Sequence, residues 1–208
     1  MRNKQCVLLL SILLTMTLCS GDAVAGALKT HGIFSSNMVI QRDKPIAIWG
    51  WAEPECKVSV QFGQEKAETT AGGESGRWEV IFPARQADAA GQKLIVVSGD
   101  ETIAMENILV GDVWVMNGQS NMAFGLSGTL KRDMEGVQAH LPLLRHFRIA
   151  PNESSSLEKD LPDEVVEGWT VCTPETAGGI SAIGFAFASR VQRALQIPIG
   201  VIDNARGG

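Results

Sequence analysis

Gly111-Asp112-Val113-Trp114-Val115-Met116-Asn117-Gly118-Gln119-Ser120-Asn121-Met122 is the stretch on which the reading of this chain turns. An apolar run, Val113-Trp114-Val115-Met116, meets a glycine-containing turn and then a serine. That order predicts a buried strand feeding a short helix. A serine on such a turn stands exposed at the carboxyl edge of a sheet, where it can act as a nucleophile. The same serine could equally serve only to cap the helix. The stretch has no glycine two residues after Ser120, so it is not the G-x-S-x-G elbow of α/β-hydrolases.

Upstream, over residues 29–110, short alternating runs are separated by turn residues. Val58, Val60 and Phe62 alternate with Lys57, Ser59 and Gln61, the period of a half-buried strand. Trp78, Val80 and Phe82 repeat it after Gly72-Gly73-Glu74-Ser75-Gly76, and shorter apolar runs lie at 46–51, 94–97 and 108–110. No helical period intervenes, so the expectation for residues 26–110 is an antiparallel β-sandwich domain. Downstream, helix and strand periods alternate, and residues 111–208 read as the N-terminal part of an α/β domain. Ile183, Phe187, Val191 and Leu195 recur every four residues, predicting an amphipathic helix from about Ser181 to Gln196 that ends before Pro198. Ile199-Gly200-Val201-Ile202 follows as a short buried strand. The polar stretch 151–179, with Ser154-Ser155-Ser156 and three prolines, is too long for a connector and reads as a loop on the active-site side. There is no internal repeat.

The whole chain has 208 residues, 45% apolar and 20% charged, a globular composition with room for one or two domains. Arg2 and Lys4 precede the apolar run 7–14, and Ala23-Val24-Ala25 is a small-x-small cleavage signal. Residues 1–25 are therefore expected to be a signal peptide cleaved after Ala25, leaving an exported protein, periplasmic or extracellular. Bulky Leu18 before Cys19 fits a lipoprotein site poorly. Removing Arg2, Lys4 and Asp22 takes the formal charge from −5 to about −6, which argues against a nucleic-acid partner. Of four cysteines, Cys56 and Cys172 remain, too few for a disulfide scaffold or a four-cysteine zinc site, and either one bridge or two free thiols fits. No later apolar run is long enough to span a membrane. No cofactor or metal is expected, and the oligomeric state is not readable.

The stretch 111–122 resembles the first block of the sialate O-acetylesterase family, serine esterases of the SGNH type. The resemblance extends upstream to Phe34-Ser35-Ser36-Asn37-Met38-Val39-Ile40-Gln41-Arg42 and Trp49-Gly50-Trp51-Ala52, similar to that family's leading β-sandwich. Downstream, Ser181-Ala182-Ile183-Gly184-Phe185-Ala186-Phe187-Ala188, then Ile197-Pro198-Ile199-Gly200-Val201-Ile202 and Gly207-Gly208, resemble the helix, strand and glycine turn of its second block. The resemblance implies a β-sandwich followed by the front of a flavodoxin-like SGNH hydrolase domain. It makes Ser120 the nucleophile, with the N–H groups of Ser120 and of Gly207 or Gly208 as oxyanion donors, Gly208 being the preferred glycine. The substrate it implies is an acetylated sugar or glycan, with sialic acid acetyl esters first and acetylated plant polysaccharide second.

The family's later blocks carry another oxyanion donor and an Asp-x-x-His pair, and neither is present. The residues three positions before His31, His140 and His146 are Leu28, Val137 and Leu143. His146 sits in an apolar run and reads as structural, His140 as a surface loop residue. The chain is thus expected to be the front part of an esterase, inactive alone. Trp49, Trp51 and Trp78 could stack on sugars, although strand tryptophans more often fill a core. On that other reading the chain is a carbohydrate-binding module. Asp203 and Asn204 end a strand near the proposed site, as a turn pair or as substrate contacts.

Overall fold

The computed structural model describes residues 27–130, 136, 139–149, 158–161 and 166–207. The signal-peptide expectation for residues 1–25 and the glycine at 208 lie outside these.

Eleven strands are present among the described residues, in two sheets. The smaller sheet has the order β1-β3-β6, where β1 is Lys29–Thr30, β3 is Ile46–Trp51 and β6 is Arg77–Phe82. The larger has the order β10-β9-β11-β8-β7-β4-β5. Its members are β4 (Lys57–Phe62), β5 (Glu65–Thr70), β7 (Asp88–Ser98), β8 (Glu101–Met116), β9 (Leu141–Ile149), β10 (Val166–Cys172) and β11 (Ile199–Asp203). Strand β2 (Val39–Gln41) pairs in parallel with β8. The alternation in β4 and β6 buries Val58, Val60 and Phe62 from one sheet against Trp78, Val80 and Phe82 from the other. Strand β5 escaped the sequence reading because EKAETT carries almost no apolar side chain, as an edge strand permits.

Strand β8 is the spine of the molecule. Its first part pairs antiparallel with β7, and from Asp112 onward it pairs in parallel with β11. Parallel pairing of β11 with both β8 and β9 gives this end of the sheet its α/β character. The exchange of neighbours happens at Gly111, where a Cβ would sit 2.0 Å from the Pro198 carbonyl oxygen. A glycine is therefore required for β11 to come alongside. Gly111→Ala is expected to cost about 3 kcal/mol by overpacking, read as a fall of roughly 10 °C in Tm. An unchanged melting curve would show that the two strands part easily. Beside this junction Arg42 donates from Nε to Asp112 Oδ1 (2.8 Å) and from Nη2 to Oδ2 (3.2 Å), fastening the end of β2 to β8. That pairing holds the Asp112 carboxyl below the usual carboxylate range.

Helix α1 is Ser120–Ala123 and helix α2 is Ala182–Leu195. Helix α2 begins and ends where its sequence signals say. The Ser181 hydroxyl accepts the Gly184 N–H at 3.2 Å, and Gln196 closes the helix in the left-handed conformation. Its buried stripe, however, is not the predicted one. Gly184, Phe185, Ala188, Ser189 and Gln192 face inward, whereas Ile183 (49% exposed), Phe187 (37%) and Leu195 (51%) face outward. Small residues let the helix lie close to the sheet, while Ile183 and Leu195 stay exposed and Phe187 lies edge to face against Trp114 of β8. Only Val191 of the expected set packs against the second core cluster, formed by Met116, Leu141, Leu144, Ile199 and Val201 among others.

The stretch 151–179 is also corrected. Residues 150–157 and 162–165 lie outside the described residues, but β10 occupies 166–172 and pairs antiparallel with β9. Trp169 and Cys172 from it are buried. Gly168, at φ 75°, and two register shifts break its period, which is why it reads as loop. Neither Cys56 nor Cys172 is in a disulfide, which decides against a bridge between them. Burial pushes the Cys172 thiol up to about 12, so it stays protonated. Among the described residues no helix is long and apolar enough to cross a membrane.

Candidate active site

Ser120 is the first residue of α1 and is exposed. The capping reading does not hold, because Gln119 occupies the cap position and Ser120 lies within the helix. The Gln119 carbonyl accepts the N–H groups of Met122 (2.9 Å) and Ala123 (3.0 Å), closing the single turn. Between strand and helix the chain reverses at Gly118, whose φ of 153° suits glycine and whose missing Cβ would meet Met122 Cβ at 3.2 Å. The signal for this turn was visible as a glycine directly after an apolar strand.

Two sets of backbone hydrogen bonds hold the serine turn. On one side, Leu126 N–H donates to the Ile180 carbonyl (2.9 Å) and Ala182 N–H to the Phe124 carbonyl (2.8 Å), docking the segment after α1 on the start of α2. On the other, the parallel pairing of β11 with β8 continues past both strand ends. Asn204 N–H donates to the Met116 carbonyl and Arg206 N–H to the Gly118 carbonyl, each at 3.0 Å. This zipper brings Gly207 beside the serine. A Cβ on Gly207 would lie 3.6 Å from both Cα and Oγ of Ser120. The other glycine, Gly208, is outside the described residues.

Asp203 is the last residue of β11 and is buried, with 7% exposure. Its Oδ1 accepts the Ala205 N–H at 3.3 Å, and the Ser181 N–H also donates to it. Burial raises its pKa, against the pull of those N–H groups and of Arg148. Its position therefore joins the start of α2 to the loop that carries Gly207. Asn204 is exposed at the strand end. Sequence reasoning had not separated a turn role for Asp203 from substrate contact, and its partners here are the backbone groups of the turn.

No side chain hydrogen-bonds the Ser120 hydroxyl among the described residues. His146 lies on β9, paired with Val201 and Thr170, and burial with help from Arg148 lowers its pKa to about 4. Its Nδ1 is buried with no hydrogen-bond partner. His140 is exposed just before β9. Both agree with the structural and surface roles expected of them. An apolar cleft of about 300 Å³ between β2, β3 and the large sheet includes no residue of the serine turn. No cluster of three or more potential metal-ligating side chains occurs among the described residues.

The chain is 26% identical to the sialate O-acetylesterase of Homo sapiens over 219 aligned positions, which cover 97% of this chain and 41% of that protein. It is 29% identical to the sialate O-acetylesterase of Mus musculus over 187 positions, covering 82% and 34%. Its structure matches that of a carbohydrate acetylesterase from Xanthomonas citri with a TM-score of 0.81 and 28% identity, over 86% of this chain and 40% of that one. No family model matches. The chain thus spans about two-fifths of the length of the human relative and of the solved structure. These matches bear out the resemblance to the sialate O-acetylesterase family and support a fold of mixed sheets with few helices.

Proposed function

We propose that this chain carries the nucleophile of an exported carbohydrate O-acetylesterase, in which residues 26–110 form a β-sandwich domain and residues 111–208 begin an SGNH hydrolase domain. The observation that carries the reading is the approach of Gly207 to Ser120, two residues joined only through the parallel register of β8 and β11. Ser120 Oγ attacks the acetyl carbonyl while a base takes the hydroxyl proton. The carbonyl oxygen becomes an oxyanion held by the N–H groups of Ser120 and of Gly207 or Gly208. Collapse expels the sugar hydroxyl, which takes a proton from the conjugate acid of the base. Water then attacks the acetyl-serine and releases acetate. The base is an Asp-x-x-His pair in sequence outside these 208 residues. The substrate is an acetylated glycan, acetylated sialic acid first, and neither a cofactor nor nucleic acid takes part.

The test is covalent labelling of the full-length protein with a serine-directed fluorophosphonate followed by peptide mapping. The adduct is expected on Ser120, and an adduct on another serine would reject the assignment.

The glycine beside it gives a graded check. A Cβ at 3.6 Å from Ser120 is an ordinary contact, so Gly207→Ala is expected to keep most activity. Gly207→Val places methyl groups in the space the acetyl oxygen needs and is expected to lower kcat roughly 10²-fold, as loss of an oxyanion donor does. Residue 207 is exposed, so the melting temperature should hold. A Gly207→Val enzyme turning over acetylated sugar at the wild-type rate would remove Gly207 from the site.

A further inference from the structure

The three tryptophans considered as sugar platforms divide between the two faces of the small sheet. Trp78 is 1% exposed and belongs to the core. Strand β3 buries Ile46, Ile48 and Gly50, and turns Trp49 and Trp51 to the outer face, where both are half-buried. The register sets Lys29 and Arg77 directly on either side of Trp51, a cation–aromatic–cation row across three strands. His31 lies 6.3 Å from Trp51, ring on ring, and 5.3 Å from Trp49. His31, Trp49, Trp51 and Arg77, together with Ser75 and Lys159, line a cavity of about 480 Å³, which includes no residue of the Ser120 turn.

This outer face is built rather than incidental. Asp160 ties the 158–161 segment over it, accepting the Gly32 N–H at 2.7 Å and pairing with Lys29 Nζ at 2.7 Å. Glu79 pairs with one guanidinium nitrogen of Arg77. Asp160 and Glu79 are thus each paired with a cation, no carboxylate is among the residues lining the cavity, and Lys159 has no ion-pair partner among the described residues. The lining therefore offers aromatic faces, a hydroxyl and an excess of positive charge in a chain whose net charge is −5. Indole faces receive the C–H face of a pyranose ring, and a guanidinium with free N–H donors matches a carboxylate. The volume is that of a site for a sugar residue or two.

We propose that the outer face of β1, β3 and β6 is a second glycan-binding site that takes a carboxylated sugar residue between Trp51, Arg77 and Lys159. It shares with the esterase reading the idea that the ligand is a glycan, and it is tested without turnover. Calorimetric titration of the full-length protein with a sialylated trisaccharide bearing no ester is expected to show saturable binding. Trp51→Ala should weaken it about tenfold and Lys159→Gln about fivefold, the worth of a stacked ring and of one charge contact. Lys159 is exposed, so that variant reads the site even if Trp51→Ala fails to fold. The neutral disaccharide left after removing the acidic sugar should bind more weakly than the trisaccharide, and hydrolysis of 4-nitrophenyl acetate should be unchanged in both variants. Absence of saturable binding, equal binding of the neutral disaccharide, or affinity unchanged in Trp51→Ala and Lys159→Gln would overturn the proposal. Loss of esterase activity in Ser120→Ala with binding retained would separate the two sites.

Discussion

Ser120→Ala in the full-length protein is expected to lower acetate release from an acetylated sugar by roughly 10⁴- to 10⁶-fold while leaving the fold intact. The large loss follows from the chemistry proposed for the site. Without Oγ there is no acetyl-serine, and what remains is direct attack by water in a cleft that still offers oxyanion donors. The intact fold follows from the geometry. Ser120 is exposed, it is not the cap of α1, and no side chain depends on its hydroxyl among the described residues. Alanine is also the better helix former at a first-turn position. Circular dichroism and the melting curve should therefore overlay those of the parent while acetate production, followed enzymatically, falls to near background. Full turnover in the variant would place the nucleophile elsewhere.

The strands could be read because their two faces differ. In β4 and β6 one face meets a core and the other meets water, so Val58, Val60, Phe62 and Trp78, Val80, Phe82 announce themselves by alternation. In β5 both faces are wet or nearly so, and EKAETT gives no signal. Helix α2 shows a subtler failure. Its ends were legible from Ser181 and Pro198, but periodicity only says that Ile183, Phe187 and Leu195 share a face, not which layer that face meets. Contact with the sheet goes through Gly184, Ala188 and Ser189, because close approach needs small side chains. The site was legible in its parts. Ser120 stood out on its strand-to-helix turn, and family resemblance pointed to Gly207 or Gly208, with Gly208 preferred, of which Gly207 is the one among the described residues. What spacing could not show was that β8 and β11 are parallel neighbours, so that the turns at their carboxyl ends meet. The role of Asp203 was equally hidden, since a backbone-satisfied carboxyl at a strand end has no sequence mark.

The second large effect concerns residues 26–208 expressed with no further sequence, which are expected to release acetate at least roughly 10⁴-fold more slowly than the full-length protein. A serine hydroxyl is a weak nucleophile until a base takes its proton. His146 is buried on β9 and its pKa is lowered to about 4, His140 is exposed before that strand, and His31 is engaged with Trp49, Trp51 and Asp160 on the small sheet. None has an aspartate three positions before it. Solubility should suffer too. Trp114 (44% exposed) meets Phe187 edge to face at 5.0 Å, and with Ile183 and Leu195 these side chains put an apolar stripe in water beside the serine turn. Met116 and Val191 are turned into the second core cluster, which narrows the stripe. It remains large enough to favour self-association of the short form. The decisive comparison is acetate release from one acetylated sugar by the short and full-length proteins at equal concentration, with light scattering on both. Comparable turnover by residues 26–208 would mean that a base within this stretch, His140 or His146, swings to Ser120, and the proton would then have to be traced through that histidine by alanine substitution.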